Sequence, residues 1–171
     1  MNIFYLANTP EISAEYHCDT HVVKMILETA QLLSSAYIEL DGKDVAIKKG
    51  LYISIAFKNH PCAKWTRKSD GHYQWLHRLL RALCYEYTIR YGKVHKTELI
   101  GMVKVLSTSP NNINKGSKTT IPQCMPDKYK SRHPVTAYRN YYIGEKLNIA
   151  KWNYTKVPYW VEDMVDINKV A

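Results

Sequence analysis

No apolar run in this 171-residue chain reaches the roughly 18 residues that a membrane-spanning helix requires. The opening MNIFYLANTP also lacks the basic stretch that begins a secretory signal. Both absences predict a protein of the cytoplasm with no membrane partner. Cysteine is scarce: four residues, at 18, 62, 84 and 124, form no Cys-x-x-Cys pair. In a reducing compartment that spacing favours free thiols over a disulfide framework, and no zinc ribbon is indicated. Acid is short as well, with 15 Asp and Glu against 24 Lys and Arg, which leaves a net charge of +9 and a pI near 9.3. Such a surface attracts polyanions, nucleic acid first among them. At 46% hydrophobic and 23% charged residues, the composition is that of a folded chain, long enough for one domain with a sizeable core.

The expected fold is mainly α: a compact single-domain helical bundle over residues 1–171 with a short N-terminal strand or arm, MNIFYL. Thr9-Pro10 with Glu11 opens a first helical turn. From about Ala14 to Tyr37 apolar density is high and Gly and Pro are absent, which predicts one long helix closed by Asp41-Gly42. Residues 44–58, including LYISIAF, suit a strand or the approach to another helix equally. Pro61 to Lys68 reads as a short helix after the break Asn59-His60-Pro61. Ser69 and Asp70 offer N-caps for a second long helix ending at Gly92. A weaker helix spans Thr97 to Leu106, and 107–133 forms a long basic loop within the domain. A helix from about Pro134 to Trp152 and the tail VPYWVEDMV complete the chain.

The most informative pattern lies in EYHCDTHVVKMILETAQLLSSAY. His17, His21, Lys24, Glu28, Gln31 and Ser35 follow one another at intervals of 4, 3, 4, 3 and 4, so on a continuous helix they share an arc of roughly 80°. Apolar residues occupy the remaining circumference. Two imidazoles, an ammonium, a carboxylate and an amide suit the wall of a cleft better than a purely solvated face. A carboxylate held there beside histidines and a lysine can act as general acid or base. Alternatively, His17 and His21, joined by His60, could ligate a metal in a phosphoesterase or nuclease. A third possibility is that the stripe lines the groove of a non-catalytic nucleic-acid-binding module.

Further along, Lys64, Arg67 and Lys68 accompany Trp65 on one or two turns, a composition suited to tracking phosphates. In HPVTAYRNYYIGEKLNIAKW, Tyr138, Arg139, Tyr142 and Lys146 can alternate base stacking with phosphate contacts, or the tyrosines can belong to a core helix. Lys115, Lys118, Lys128, Lys130 and Arg132 make the 107–133 loop a candidate for ordering on nucleic acid. HYQWLHRLLRALCYEYTIRY reads as scaffold, with Cys84 as a buried thiol and His72 and Arg90 off its apolar face.

His21 followed seven residues later by Glu28, on an early helix of a small, basic, mainly helical chain, resembles the phage-type pyrimidine-dimer DNA glycosylases with AP-lyase activity. The aromatic segment AYRNYYIGEK is similar to the Trp/Tyr-rich stretch late in members of that family. The same segments, with NHP and YRYGKVH, also resemble uncharacterised phage proteins. In the glycosylase family a glutamate assists attack by the N-terminal α-amine on C1′ of the damaged nucleotide, forming a Schiff base that precedes strand cleavage. The resemblance implies Glu28 as the catalytic carboxylate and His21 as a neighbour contacting DNA. His17 and His60 are expected around them and Gln31 along the DNA. It implies double-stranded DNA with a flipped base as substrate, a monomer without metal or cofactor, and the host cytoplasm for a phage-encoded chain. Residue 2 is Asn, which usually leaves the initiator Met in place, so the amine is that of Met1 or, one turn before Glu28, that of Lys24. Leu27 and Gln31 stand where the family carries arginines.

Overall fold

The computed structural model describes residues 2–54 and 57–163. The described residues are mainly helical and contain no strand. The N-terminal segment is thus an arm: residues 2–6 form no regular secondary structure, and Ile3, Phe4, Tyr5, Leu6 and Ala7 are all buried. Its polar backbone is satisfied by a side chain instead of a sheet partner. Ser13 Oγ donates to the Phe4 carbonyl and accepts the Leu6 N–H, both at 3.1 Å.

The long helix expected from residue 14 is two helices, α1 (Pro10–Glu15) and α2 (Asp19–Leu40). The cause of the break is tertiary. The carbonyl oxygens of Glu15 and His17 accept from the Arg90 guanidinium at 2.8 and 2.7 Å, and that of Tyr16 accepts from Trp152 Nε1 at 3.3 Å. Cys18 N–H donates to the Tyr142 hydroxyl and Asp19 N–H to the Lys151 carbonyl. Distant groups satisfy the backbone polar atoms that a continuous helix would have paired internally.

The remaining elements are α3 (Lys43–Lys48), α4 (Pro61–Thr66), α5 (Asp70–Tyr91), α6 (Lys96–Leu99), α7 (Met102–Val105) and α8 (Pro134–Lys146), with a 3₁₀ turn at Asp127–Tyr129. In the ambiguous 44–58 stretch a short helix precedes extended backbone at 51–54, and residues 55 and 56 of LYISIAF lie outside the described residues. α5 ends as expected, at Gly92 in the left-handed conformation with φ +62°. The weaker helix expected over 97–106 is divided in two by Gly101, also left-handed at φ +77°. α8 stops six residues before Trp152, and the tail VPYWVEDMV is described as far as residue 163, with Trp160 and Val161 buried.

α2 and α5 form the central pair. α1 packs on α5, while α3 and α4 pack on α2. The interior is rich in tyrosine: Tyr37, Tyr73, Tyr138 and Tyr142 are wholly enclosed. Three of the hydroxyls donate to main-chain carbonyls, Tyr37 at Thr108 O (2.6 Å), Tyr73 at Leu106 O (3.0 Å) and Tyr138 at Pro122 O (2.7 Å). Cys84 is buried as expected, and burial pushes its thiol up to about 12.

The 107–133 segment is not a loose loop awaiting nucleic acid; it is a belt fastened to the helices. Asp41 caps the N–H groups of Asn111 and Asn112, Trp65 Nε1 donates to the Thr119 and Thr120 carbonyls, and His72 engages Thr119. Ile113, Ile121 and Met125 point into the core. At Gly71 the belt comes so near that an added Cβ would lie 2.5 Å from the Gly116 carbonyl oxygen.

Candidate active site

The α2 stripe loses its first member to the helix break. The wholly buried His17 lies ahead of α2, with Nδ1 2.6 Å from the Ser13 carbonyl. This contact makes Nδ1 the protonated nitrogen. His17 faces no cleft, and the expectation that it lines one is corrected by this burial. His60 lies elsewhere, at the start of α4, where Nδ1 accepts the Cys62 N–H at 3.1 Å. The metal set His17, His21 and His60 is therefore not assembled. Among the described residues, the three potential ligands brought together are His60, Cys62 and Cys124.

His21, Lys24 and Glu28 do share one face of α2. They line a cleft of about 180 Å³ with Asn2, Phe4, Met25, Tyr141 and Lys146. Lys24 Nζ lies 3.5 Å from Glu28 Oε1, with the lysine side chain 69% exposed and the glutamate 18%. Lys24 thus stands mostly in solvent at the rim of the cleft. On the far side of Glu28 a groove of about 500 Å³ continues past Lys24, Leu27 and Gln31 to Tyr52 and His95. Glu28 stands where the two concavities meet.

The arm and α8 shape the cleft. Phe4 stacks on the His21 ring (centroids 4.7 Å apart) and on the Tyr141 ring (6.3 Å). His21 Nδ1 is 2.7 Å from the Tyr142 hydroxyl, which also lies 3.2 Å from Cys18 Sγ. Asn2 is anchored at both ends of its amide: Nδ2 donates to the Cys124 carbonyl at 2.9 Å, and Oδ1 accepts from the Tyr138 hydroxyl at 3.1 Å. Lys146 Nζ sits 5.2 Å from the centre of the Tyr141 ring. With His21 neutral, the described residues of the cleft lining present two ammonium groups and one carboxylate, a balance that favours phosphate. A groove of about 520 Å³ between α1 and α5 is chemically different: Glu11, Glu15 and Glu86 line it against Arg78 and Arg81, and Arg78 is already paired with Glu11 at 2.9 Å.

The other residues expected at the nucleic acid separate in the same way. Lys146 reaches the cleft, whereas Tyr138 and Tyr142 are wholly buried and cannot stack on a base as they stand. Arg139 packs against the rings of Tyr16, Tyr159 and Trp160, with centroids 5.3–5.4 Å away, and donates through Nε to the Leu6 carbonyl. Lys64 and Lys68 are exposed, but Trp65 beside them is in the core and Arg67 Nη1 is bonded to the Lys58 carbonyl. His72 and Arg90, expected off the apolar face of α5, are buried with polar partners. Sequence reasoning missed Asn2, Phe4, Met25 and Tyr141 at the cleft. The first two follow the N-terminal residue that the resemblance had already made important. Met1 itself lies outside the described residues.

Burial holds the His17 imidazole down to about 3, and burial with the Lys146 and Lys24 charges holds His21 down to about 4. Both values fall below the ordinary 6.5, so below that pH the unfolded chain binds protons that the folded chain refuses. Stability is complete above pH 6.5 and declines as pH falls toward 4 and 3. The slope approaches about 1.4 kcal/mol per pH unit for each histidine. Urea unfolding should therefore show a native state weaker by about 2–3 kcal/mol at pH 4.5 than at pH 7 from His17 alone. His17→Asn should flatten that slope, and an equally steep slope in the variant would remove His17 as its source.

A family model for pyrimidine dimer DNA glycosylases matches residues 1–99, which span the arm through α6 and include Asn2, His21, Lys24 and Glu28. No curated protein and no solved structure matches the chain. The match covers more than half of the sequence and takes in the α2 side of the cleft, and the chain belongs to the pyrimidine dimer DNA glycosylase family.

Proposed function

We propose that this protein is a DNA glycosylase and AP lyase that works on a damaged base flipped from duplex DNA, with Glu28 as the acid/base and an amine as nucleophile. The observation that carries this reading is the cleft in which the Glu28 carboxylate lies among Lys24, His21, Lys146 and residue 2 of the arm. The two lysines attract the phosphates flanking the lesion, and Gln31 extends the polar wall along the groove.

The amine attacks C1′ of the damaged nucleotide, and the N-glycosidic electrons leave with the base. Loss of the amine proton and opening of the sugar at O4′ give the Schiff base. A carboxylate within reach then takes a proton from C2′, the electrons form the C2′–C3′ double bond, and the 3′ phosphate departs. Glu28 is partly buried and, among the described residues, paired with Lys24, which leaves its carboxylate at the cleft placed for proton transfer.

The arm favours its own terminal amine over Lys24. Its anchored Asn2 lines the cleft, whereas Lys24 is mostly solvated. Borohydride reduction with abasic duplex DNA separates these possibilities on a denaturing gel. A covalent band is expected from the wild type and also from Lys24→Ala. Loss of the band in Lys24→Ala alone would move the nucleophile to Lys24, and no band from any form would remove amine catalysis.

A further inference from the structure

Outside the cleft, one side-chain cluster has no role in the proposed reaction. His60, Cys62 and Cys124 converge where the start of α4 meets the belt, and their ligating atoms all lie within 4.8 Å of one another. The two sulfurs are 3.6 Å apart although the residues are 62 positions apart in the chain. The two free thiols are in contact but not bonded to each other. A disulfide needs sulfurs at about 2.05 Å. Two thiolates on a tetrahedral zinc ion, each about 2.3 Å from the metal, stand about 3.8 Å apart. The pair already matches an edge of a zinc tetrahedron.

We propose that His60, Cys62 and Cys124 bind a zinc ion that fastens the belt to α4 and to the arm. Two thiolates and an imidazole are a soft, zinc-selective set, and they leave a fourth position for water or another ligand. Cys62 is wholly buried, while His60 and Cys124 are half-buried, so the site is enclosed yet reachable. Outer partners are in place as well. Asn2 Nδ2 donates to the Cys124 carbonyl and the Tyr138 hydroxyl accepts from Cys124 N–H, while the Cys62 thiol gives up its hydrogen bond to Asn2 Oδ1 (3.4 Å) when it loses its proton to bind zinc. His60 exchanges its hydrogen bond from the Cys62 N–H for the metal. The sequence hides this site because its cysteines are not paired locally and only the fold brings residue 124 to the His60-x-Cys62 step. The zinc site stands whether or not the cleft belongs to a lyase.

The test uses the full chain, purified without a metal-affinity column from zinc-supplemented cells. Elemental analysis is expected to find one zinc per chain. After removal by a chelator, cobalt(II) should restore a thiolate-to-cobalt charge-transfer band with the strong visible bands of tetrahedral geometry. Zinc removal should lower the wild-type thermal midpoint by several degrees. Cys124→Ser should bind zinc at least about 100-fold more weakly and lose the cobalt band. If that variant fails to fold, the wild-type cobalt spectrum and zinc content decide alone. Substoichiometric zinc with no charge-transfer band in the wild type would overturn the proposal, as would a Cys62–Cys124 disulfide detected by mass in protein purified without reductant.

Discussion

Glu28→Gln is expected to lower turnover on lesion-bearing duplex by about 10²–10⁴-fold, the usual contribution of a positioned acid or base, while leaving binding intact or tighter. The geometry gives both halves of that expectation. Glutamine matches the size of glutamate and can keep the position where the small cleft meets the groove, but it cannot take the C2′ proton. Removing the carboxylate that lines the cleft with Lys24 and Lys146 raises the positive charge seen by phosphate, so affinity has no electrostatic reason to fall. Single-turnover kinetics beside a binding isotherm separate the two quantities. Turnover within tenfold of the wild type would show that Glu28 does not carry the proton, and a parallel collapse of affinity would show that its role is structural.

Arg90→Leu is expected to have the largest effect on stability, a loss of about 3–5 kcal/mol and a thermal midpoint lower by roughly 6–20 °C. The Arg90 guanidinium is fully enclosed. Nη1 donates to the His17 carbonyl and to Asp19 Oδ1, Nη2 to the Glu15 carbonyl, and Nε and Nη2 to Glu86 Oε2. Leucine fills most of the volume but leaves two carbonyls and two carboxylates without their donor. Arg90→Lys should recover little, because one ammonium cannot span acceptors on α1, α2 and α5 at once. A midpoint within about 2 °C of the wild type for Arg90→Leu would mean that water satisfies these groups at little cost.

Arg90 also explains much of what could and could not be read in the sequence. The C-terminal end of α5 was legible because Gly92 acts locally, and Pro61 marked α4 for the same reason; Ser69 does stand at the N-cap, but without a side-chain cap bond, and Asp70 instead accepts from Gly116 N–H of the belt. The division between α1 and α2 was not legible. Residues 14–37 contain no Gly or Pro, and the donors that end α1 come from Arg90 and Trp152, 75 and 136 residues beyond their acceptors. That single break takes His17 out of the stripe and buries it.

His21, Lys24 and Glu28 were legible as neighbours because helical periodicity survives within α2. Tyr138 and Tyr142 were not separable from a stacking surface, since an aromatic run alone does not reveal which face of α8 meets the core. The structure turns both inward and leaves Tyr141 and Lys146 at the cleft. The fate of His60 was hidden for a different reason: its companions depend on a belt whose path across α4 has no local sequence signal.

The family match makes a duplex carrying a single cyclobutane pyrimidine dimer the first substrate on which to test the proposed glycosylase cleft. The most direct measurement incubates that duplex with the wild-type protein and resolves the damaged strand on a denaturing gel, with and without alkali. The predicted result is scission at the dimer, already visible without alkali and absent from an undamaged duplex. A damaged strand that remains intact under both conditions, with the protein in stoichiometric excess, would contradict the assignment of this cleft to dimer excision.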